Sequence, residues 1–266
     1  MINVLKNPEP EILTKQKNSW TTDLLNLLQQ YHSFVKIPKK QRNFLEARYK
    51  HPEIINALKS KNGSLKCVYC ESYVDLSGPR NVEHFHPKSL YPQETYEWDN
   101  LFICCANCNG QKNNFDTKQN PFIHPEQENA EEYLTFDCIT YVPIYESGIS
   151  HQKALNVIEQ CDLDRNTLIR KHSDLYIAFN GNRKALNDLI NQYKTYKSSE
   201  AKKKCLNKIY ASICYLKILA SEEAEYAGYI RYLLRKFSTV KDAVSIINQH
   251  KDFVGLINDF DWGFDF

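Results

Sequence analysis

The sequence predicts an α+β protein, mostly α, in which a small cysteine-rich module sits between flanking helices. Three observations carry that expectation. From Cys67 to about Asn120, Gly, Pro, Asn, Cys and His dominate and no helical period survives. Two CxxC pairs lie inside this stretch, Cys67-Val-Tyr-Cys70 and Cys105-Ala-Asn-Cys108. After Gly148, apolar residues return at helical spacing almost to the end of the chain.

Taken in order, the first 18 residues, rich in Pro, Asn and Lys, read as an extended arm. Ser19 or Thr21 caps a helix through Leu24, Leu25, Leu27 and Leu28 that ends near Tyr31. Pro38 opens a second helix carrying Phe44, Leu45 and Tyr49. Pro52 suits the first turn of a third, with Ile54, Ile55 and Leu58 as its apolar face and Asn62-Gly63 as its stop. Thr135 to Tyr145 alternates and reads as a short hairpin. Ala154, Val157 and Ile158 begin a helix. Leu168, Ile169, Leu175, Ile177 and Phe179 mark another, continued by Leu186, Leu189, Ile190 and Tyr193. Further helices are expected over 199–218, 221–237 and 240–250. The expected division is residues 1–65 for the arm and first helices, 66–130 for the cysteine-rich module, and 131–266 for the hairpin and a helical domain that docks a partner.

At 266 residues the chain can bury at least one full core. Its net charge of +2 is close to neutral, so any basic footprint for nucleic acid must be local. The start lacks a signal-like pattern, and no window approaches the roughly 18 apolar residues of a membrane span. The expected compartment is therefore the cytoplasm, with no membrane association. Thiols stay reduced there, and an odd total of nine cysteines fits a metal cluster with leftover thiols better than a disulfide framework. Cys104, Cys138, Cys161, Cys205 and Cys214 read as small buried hydrophobes.

Each CxxC places two thiolates on one tight turn, and two such turns close a tetrahedral S4 site. Cys67, Cys70, Cys105 and Cys108 are thus expected to hold a structural Zn2+. The interval between the pairs contains Val82-Glu83-His84-Phe85-His86-Pro87 and Trp98-Asp99-Asn100-Leu101, and the second pair is followed by Asn109-Gly-Gln-Lys112. This constellation resembles the HNH, or ββα-metal, endonucleases. Asn100 precedes Cys105 by five residues and Asn109 by nine, as in that family.

Phosphodiester cleavage needs an activated water, a cation against developing charge, and alignment. The resemblance implies His84 as the general base, with Glu83 and Asn109 as ligands of a catalytic metal. Oxygen ligands and retained waters favour Mg2+ or Mn2+ at that place. Asn100 resembles the structural Asn that orients the base, and Lys112 is expected to stabilise the phosphate or the leaving oxygen. Two departures stand out. Glu83 replaces the commoner Asp or His, and Asn109 stands where the motif name expects a second His. His86 shares the His84 strand face if the chain is extended, and there it lines the cleft, touches phosphate or has no role, since that position tolerates many residues in the family it resembles. Lys88 either contacts substrate or is solvated, and His124 reads as structural.

The strings Cys67-Val-Tyr-Cys70, Glu83-His-Phe-His-Pro-Lys-Ser89 and Leu101-Phe-Ile-Cys-Cys105, with Pro8-Glu-Pro-Glu-Ile-Leu-Thr14, resemble the PtuB-type HNH nucleases of Septu and retron anti-phage systems. That resemblance implies an ATPase partner of the PtuA type. In retron versions it also implies a reverse transcriptase and its reverse-transcribed DNA. A basic stretch from Lys194 to Lys217 and an acidic tail bearing Phe260, Trp262, Phe264 and Phe266 are candidate docking elements. Three functions stay open: a DNA-cutting defence nuclease, the same site acting on RNA such as tRNA, and a silent zinc-stapled binding module.

Overall fold

The computed structural model describes Met1 and residues 3–59, 65–74 and 81–250. The chain divides into two compact units. One comprises Met1–Thr135 with Tyr141–Arg165, and the other Phe136–Thr140 with the chain from Asn166 onward.

In the first unit, helix α1 runs Glu11–Tyr31 and buries Leu13 and Leu24. It starts well before Ser19, so the second part of the expected arm, from Glu11 on, is helical. The physical reason is Pro10, whose carbonyl accepts from Leu13 N at 2.9 Å while Glu11 complements the helix N-terminus. The helix ends on His32, left-handed at φ 61, whose N–H bonds Leu28 O at 2.7 Å. Helix α2, Lys39–Tyr49, follows Pro38 and buries Leu45 and Tyr49. Phe44, carried on this helix as expected, is exposed, with the Arg48 guanidinium 4.8 Å from its ring centroid. Helix α3, Pro52–Ala57, buries Ile54 and Ile55.

Strand β1 (Asn81–His84) pairs antiparallel with β2 (Leu101–Cys104), placing Val82 opposite Ile103, Glu83 opposite Phe102 and His84 opposite Leu101. Helix α4, Ala106–Lys112, follows directly, completing a ββα order. The first CxxC turn is tied to this sheet by Val68 N on Ile103 O at 3.0 Å. Strands β3 (Leu134–Asp137) and β4 (Thr140–Pro143) make the expected hairpin. Helix α5, Gly148–Gln160, buries Ala154, Val157 and Ile158 and belongs to the first unit.

The second unit packs α6 (Asn166–Thr195), α7 (Ser199–Ala220), α8 (Ala227–Lys236) and α9 (Thr239–Asn248) around Leu186, Ile209, Ile213, Leu233 and Ile247. The helix expected over 221–237 begins later, because Tyr226 stands left-handed at φ 55 before α8. Cys104, Cys161 and Cys205 are buried as expected. Cys138 is exposed, since it occupies the left-handed hairpin tip at φ 54, and Cys214 is half-buried. No described helix is long and apolar enough to cross a membrane. The aromatic tail lies outside the described residues.

Candidate active site and metal centre

The sulfur cluster comes from two local turns. Cys67 opens a turn closed by Glu71 N on Cys67 O at 3.0 Å, with Glu71 left-handed at φ 61. Cys105 caps α4, its Sγ accepting from Cys108 N at 3.4 Å. The Sγ atoms of Cys67, Cys70, Cys105 and Cys108 all lie within 4.8 Å of one another, and Cys70 and Cys105 are 3.8 Å apart. A tetrahedron with Zn–S bonds of about 2.3 Å has S–S edges of about 3.8 Å, so the four thiols fit zinc. A fifth buried sulfur, Cys104 Sγ, lies 3.6 Å from Cys67 Sγ.

On β1, alternation sends Glu83 and His84 to opposite faces. The Glu83 carboxylate is buried and takes the Lys112 ammonium on Oε1 at 2.5 Å and the Tyr69 hydroxyl at 3.3 Å. Burial pushes its carboxyl up, opposed by Lys112. Lys112 also donates to His84 O at 3.0 Å. Asn109, half-buried, sits one turn before Lys112 on α4, so the two side chains share a helix face. The oxygens of Glu83 and Asn109 are of the kind a hard divalent cation takes, and the ammonium on Oε1 marks a place where positive charge is stable. In donor chemistry, a carboxylate and an amide oxygen suit the implied metal.

His84 Nε2 lies 3.1 Å from Thr95 O. A carbonyl only accepts, so Nε2 carries the proton and Nδ1 of the neutral ring keeps a lone pair. Burial, then the nearby Lys88 charge, hold the imidazole well below the usual histidine range. The Tyr49 ring stands edge-on to it at 4.8 Å. Asn100 is buried and clamps the intervening loop: Oδ1 accepts from His86 N at 2.6 Å, and Nδ2 donates to His86 O at 3.1 Å and Glu94 O at 3.0 Å.

His86 was expected on the His84 strand face if the chain stayed extended, but β1 ends at His84. Instead His86 lines an open cleft of about 410 Å³ with Phe85, Glu94, Thr117, His124 and Glu128. Thr117 gives its proton to Phe85 O at 2.8 Å, so it accepts from His86 Nδ1 at 2.7 Å. His124 Nδ1 accepts from Glu126 N and Gln127 N at 3.2 and 3.1 Å, closing a turn. Lys88 donates to Tyr49 OH at 2.8 Å, and its ammonium lies 5.0 Å from the Phe34 centroid and 4.9 Å from that of Tyr49.

The fold therefore pairs Glu83 with Lys112, which also reaches the His84 backbone carbonyl, and leaves the His84 ring on the other face of β1 against Thr95. It clamps the intervening loop with Asn100 and gives His86 a separate neighbourhood. Tyr49, Tyr69, Thr95 and Thr117 were not singled out by the sequence. Each acts through a contact distant along the chain and carries no local motif.

A ββα order with these residues defines the class. Residues 67–115 match the family model for HNH endonuclease, so the chain carries an HNH module, that of a phosphodiester hydrolase. More particularly, the chain is similar to two Septu proteins PtuB. It is 31% identical to that of Bacillus mycoides (strain KBAB4) over 152 residues, 50% of each chain. It is 40% identical to that of Bacillus thuringiensis over 70 residues, 26% of this chain and 27% of the relative. The matched stretches span half or less of those relatives' length.

Proposed function

We propose that the chain is a metal-dependent HNH endonuclease that hydrolyses phosphodiester bonds of nucleic acid, DNA in preference, as an effector of anti-phage defence acting with an ATPase partner. The observation that carries the catalytic reading is the His84 ring, kept neutral chiefly by burial and oriented by Thr95 O so that Nδ1 is the basic atom. His84 Nδ1 takes a proton from the attacking water, whose oxygen forms a bond to phosphorus. The bond to the opposite oxygen breaks, and that oxygen leaves with a proton from solvent. Glu83 and Asn109 would hold Mg2+ or Mn2+, which when bound offsets the negative charge developing on the phosphate. Asn100 keeps the loop that presents Thr95 in place, and Lys112 holds Glu83 on β1. Lys88, beside His84, contacts the substrate backbone, and His86 contacts substrate only if it extends into the separate cleft.

The partner reading rests on similarity to the PtuB type, which implies an ATPase of the PtuA type and, in retron versions, a reverse transcriptase with its reverse-transcribed DNA. In this reading residues 131–266 supply the docking domain. Among the described residues the second unit holds no cluster able to bind a metal. It exposes Ile177 and Ile218, with Lys203, Lys204 and Lys208 on α7.

His84→Ala, assayed on DNA and RNA side by side with and without the ATPase, tests the site. Cleavage should fall by about 10²–10⁴-fold with zinc content unchanged. Undiminished turnover removes His84 as the base. Cleavage of RNA alone favours the tRNA-type reading. No cleavage by wild-type protein with metal and partner leaves the binding module.

A further inference from the structure

A charged contact on the sulfur cluster comes from outside the residues matched by the HNH model. Arg165 Nη1 lies 3.7 Å from Cys108 Sγ and donates to Asp162 O at 2.8 Å. Asp162 stands left-handed at φ 52 in the turn after α5, and its carboxylate accepts from Asn107 Nδ2 at 3.3 Å. One guanidinium and one amide thus lay this turn against α4, the helix that carries Cys108, Asn109 and Lys112.

Four thiolates around a divalent ion leave two negative charges, and here Cys67, Cys70 and Cys108 are buried. Buried charge is costly unless it is paired or hydrogen-bonded. Among the described residues, neutral groups against this cluster include Cys108 N, at 3.4 Å from Cys105 Sγ, the Ser72 hydroxyl, at 3.0 Å from Cys70 Sγ, and the Cys104 thiol, at 3.6 Å from Cys67 Sγ. Arg165 adds a full charge that no accessible pH removes. Beside metal-free, neutral thiols the half-exposed guanidinium would meet no negative charge at that contact, whereas a zinc–thiolate cluster supplies one.

We propose that Arg165 is the counter-ion of the zinc–thiolate cluster, a positioning residue that retains the metal and through it the register of α4. This rests on the four-cysteine zinc reading. The test is chelator-driven zinc release from the full chain, followed with a zinc-sensitive dye, for wild type, Arg165→Met, Arg165→Lys and Asn107→Ala, with thermal unfolding measured in parallel. Loss of a residue that supports metal ligands weakens retention by about 10–100-fold, so Arg165→Met should release zinc faster by that order. Arg165→Lys should restore most of the difference, and Asn107→Ala, which leaves the charge in place, should stay near wild type. Should Arg165→Met not fold, Arg165→Gln replaces it in the same comparison. Equal release from wild type and the uncharged variant overturns the proposal. So does release from Arg165→Lys as fast as from the uncharged variant. Wild-type protein purified without zinc fails the zinc reading itself, and is recognised before any substitution is compared.

Discussion

The Lys112 ammonium lies 2.5 Å from Glu83 Oε1 with both side chains almost fully buried, and its other contact is the carbonyl of His84, the residue next to Glu83. Lys112 therefore fastens α4 to the end of β1 and does not project toward solvent, unlike the contact with phosphate or the leaving oxygen that the sequence suggests. Breaking one partner of a buried pair leaves an uncompensated charge, which costs about 3–5 kcal/mol. Lys112→Met should lose stability of that order in chemical denaturation. The double variant Glu83→Gln with Lys112→Met should lose less than the sum of the two single variants. Strictly additive losses would show that the pair is not coupled.

Asn100 makes three hydrogen bonds to the backbone of His86 and Glu94. In Asn100→Ala those groups lose their partner, at about 1–3 kcal/mol for each left unsatisfied. Melting temperature and cleavage should fall together, because the same loop leads to the Thr95 carbonyl that orients His84. Asn100→Asp keeps the acceptor for His86 N and should fall between wild type and Ala. Full activity in a clearly destabilised Asn100→Ala protein would separate the clamp from the chemistry.

Chelation separates the two metals. Glu83 is one carboxylate and Asn109 a neutral amide, so the catalytic cation should exchange readily, whereas four thiolates hold zinc firmly. Brief EDTA treatment should abolish cleavage while zinc content stays constant, and added Mg2+ or Mn2+ should restore activity. Persistent cleavage in metal-free buffer with zinc alone bound would contradict the Glu83–Asn109 assignment.

His124 gives a pH dependence of stability. Burial, then the Lys6 charge, push its imidazole down to about 4 from an ordinary 6.5. As pH falls from 6.5 toward 4, the unfolded chain takes up a proton that the folded chain refuses, so stability falls across that window and is fully present above it. Denaturation midpoints at pH 7 and pH 5 should differ in that sense. His124→Asn, which keeps an acceptor for Glu126 N and Gln127 N, should show a shallower slope; an unchanged slope would assign the effect to other groups.

What could be read in the sequence was what lies close along the chain. Two CxxC turns, the Glu83-His84 pair and the spacing from Asn100 to Asn109 are each set by one strand, turn or helix. Helix α6 was readable from its long apolar period, and α2 from Pro38 at its start. Contacts that join distant segments were not. Tyr49 reaches His84 from α2, Tyr69 reaches Glu83 from the first CxxC turn, and no pattern in either segment announces a partner. The start of α1 was missed because Lys and Asn between Glu11 and Ser19 gave no apolar stripe, although Pro10 suffices to open the helix.

Helix α4 has seven residues, about 10 Å of rise, and isolated helices that short are unstable in water. Its order is borrowed from Cys105 and Cys108 at one end and from Lys112 on Glu83 at the other. The interval between Cys108 and Lys112 is thus a phase relation. One residue inserted there would turn Lys112 and everything after it by about 100° about the helix axis, carrying the ammonium off Glu83 while every side chain of the motif remained present. A chain with the right letters and one extra residue would have the parts of the site and no working angle between them.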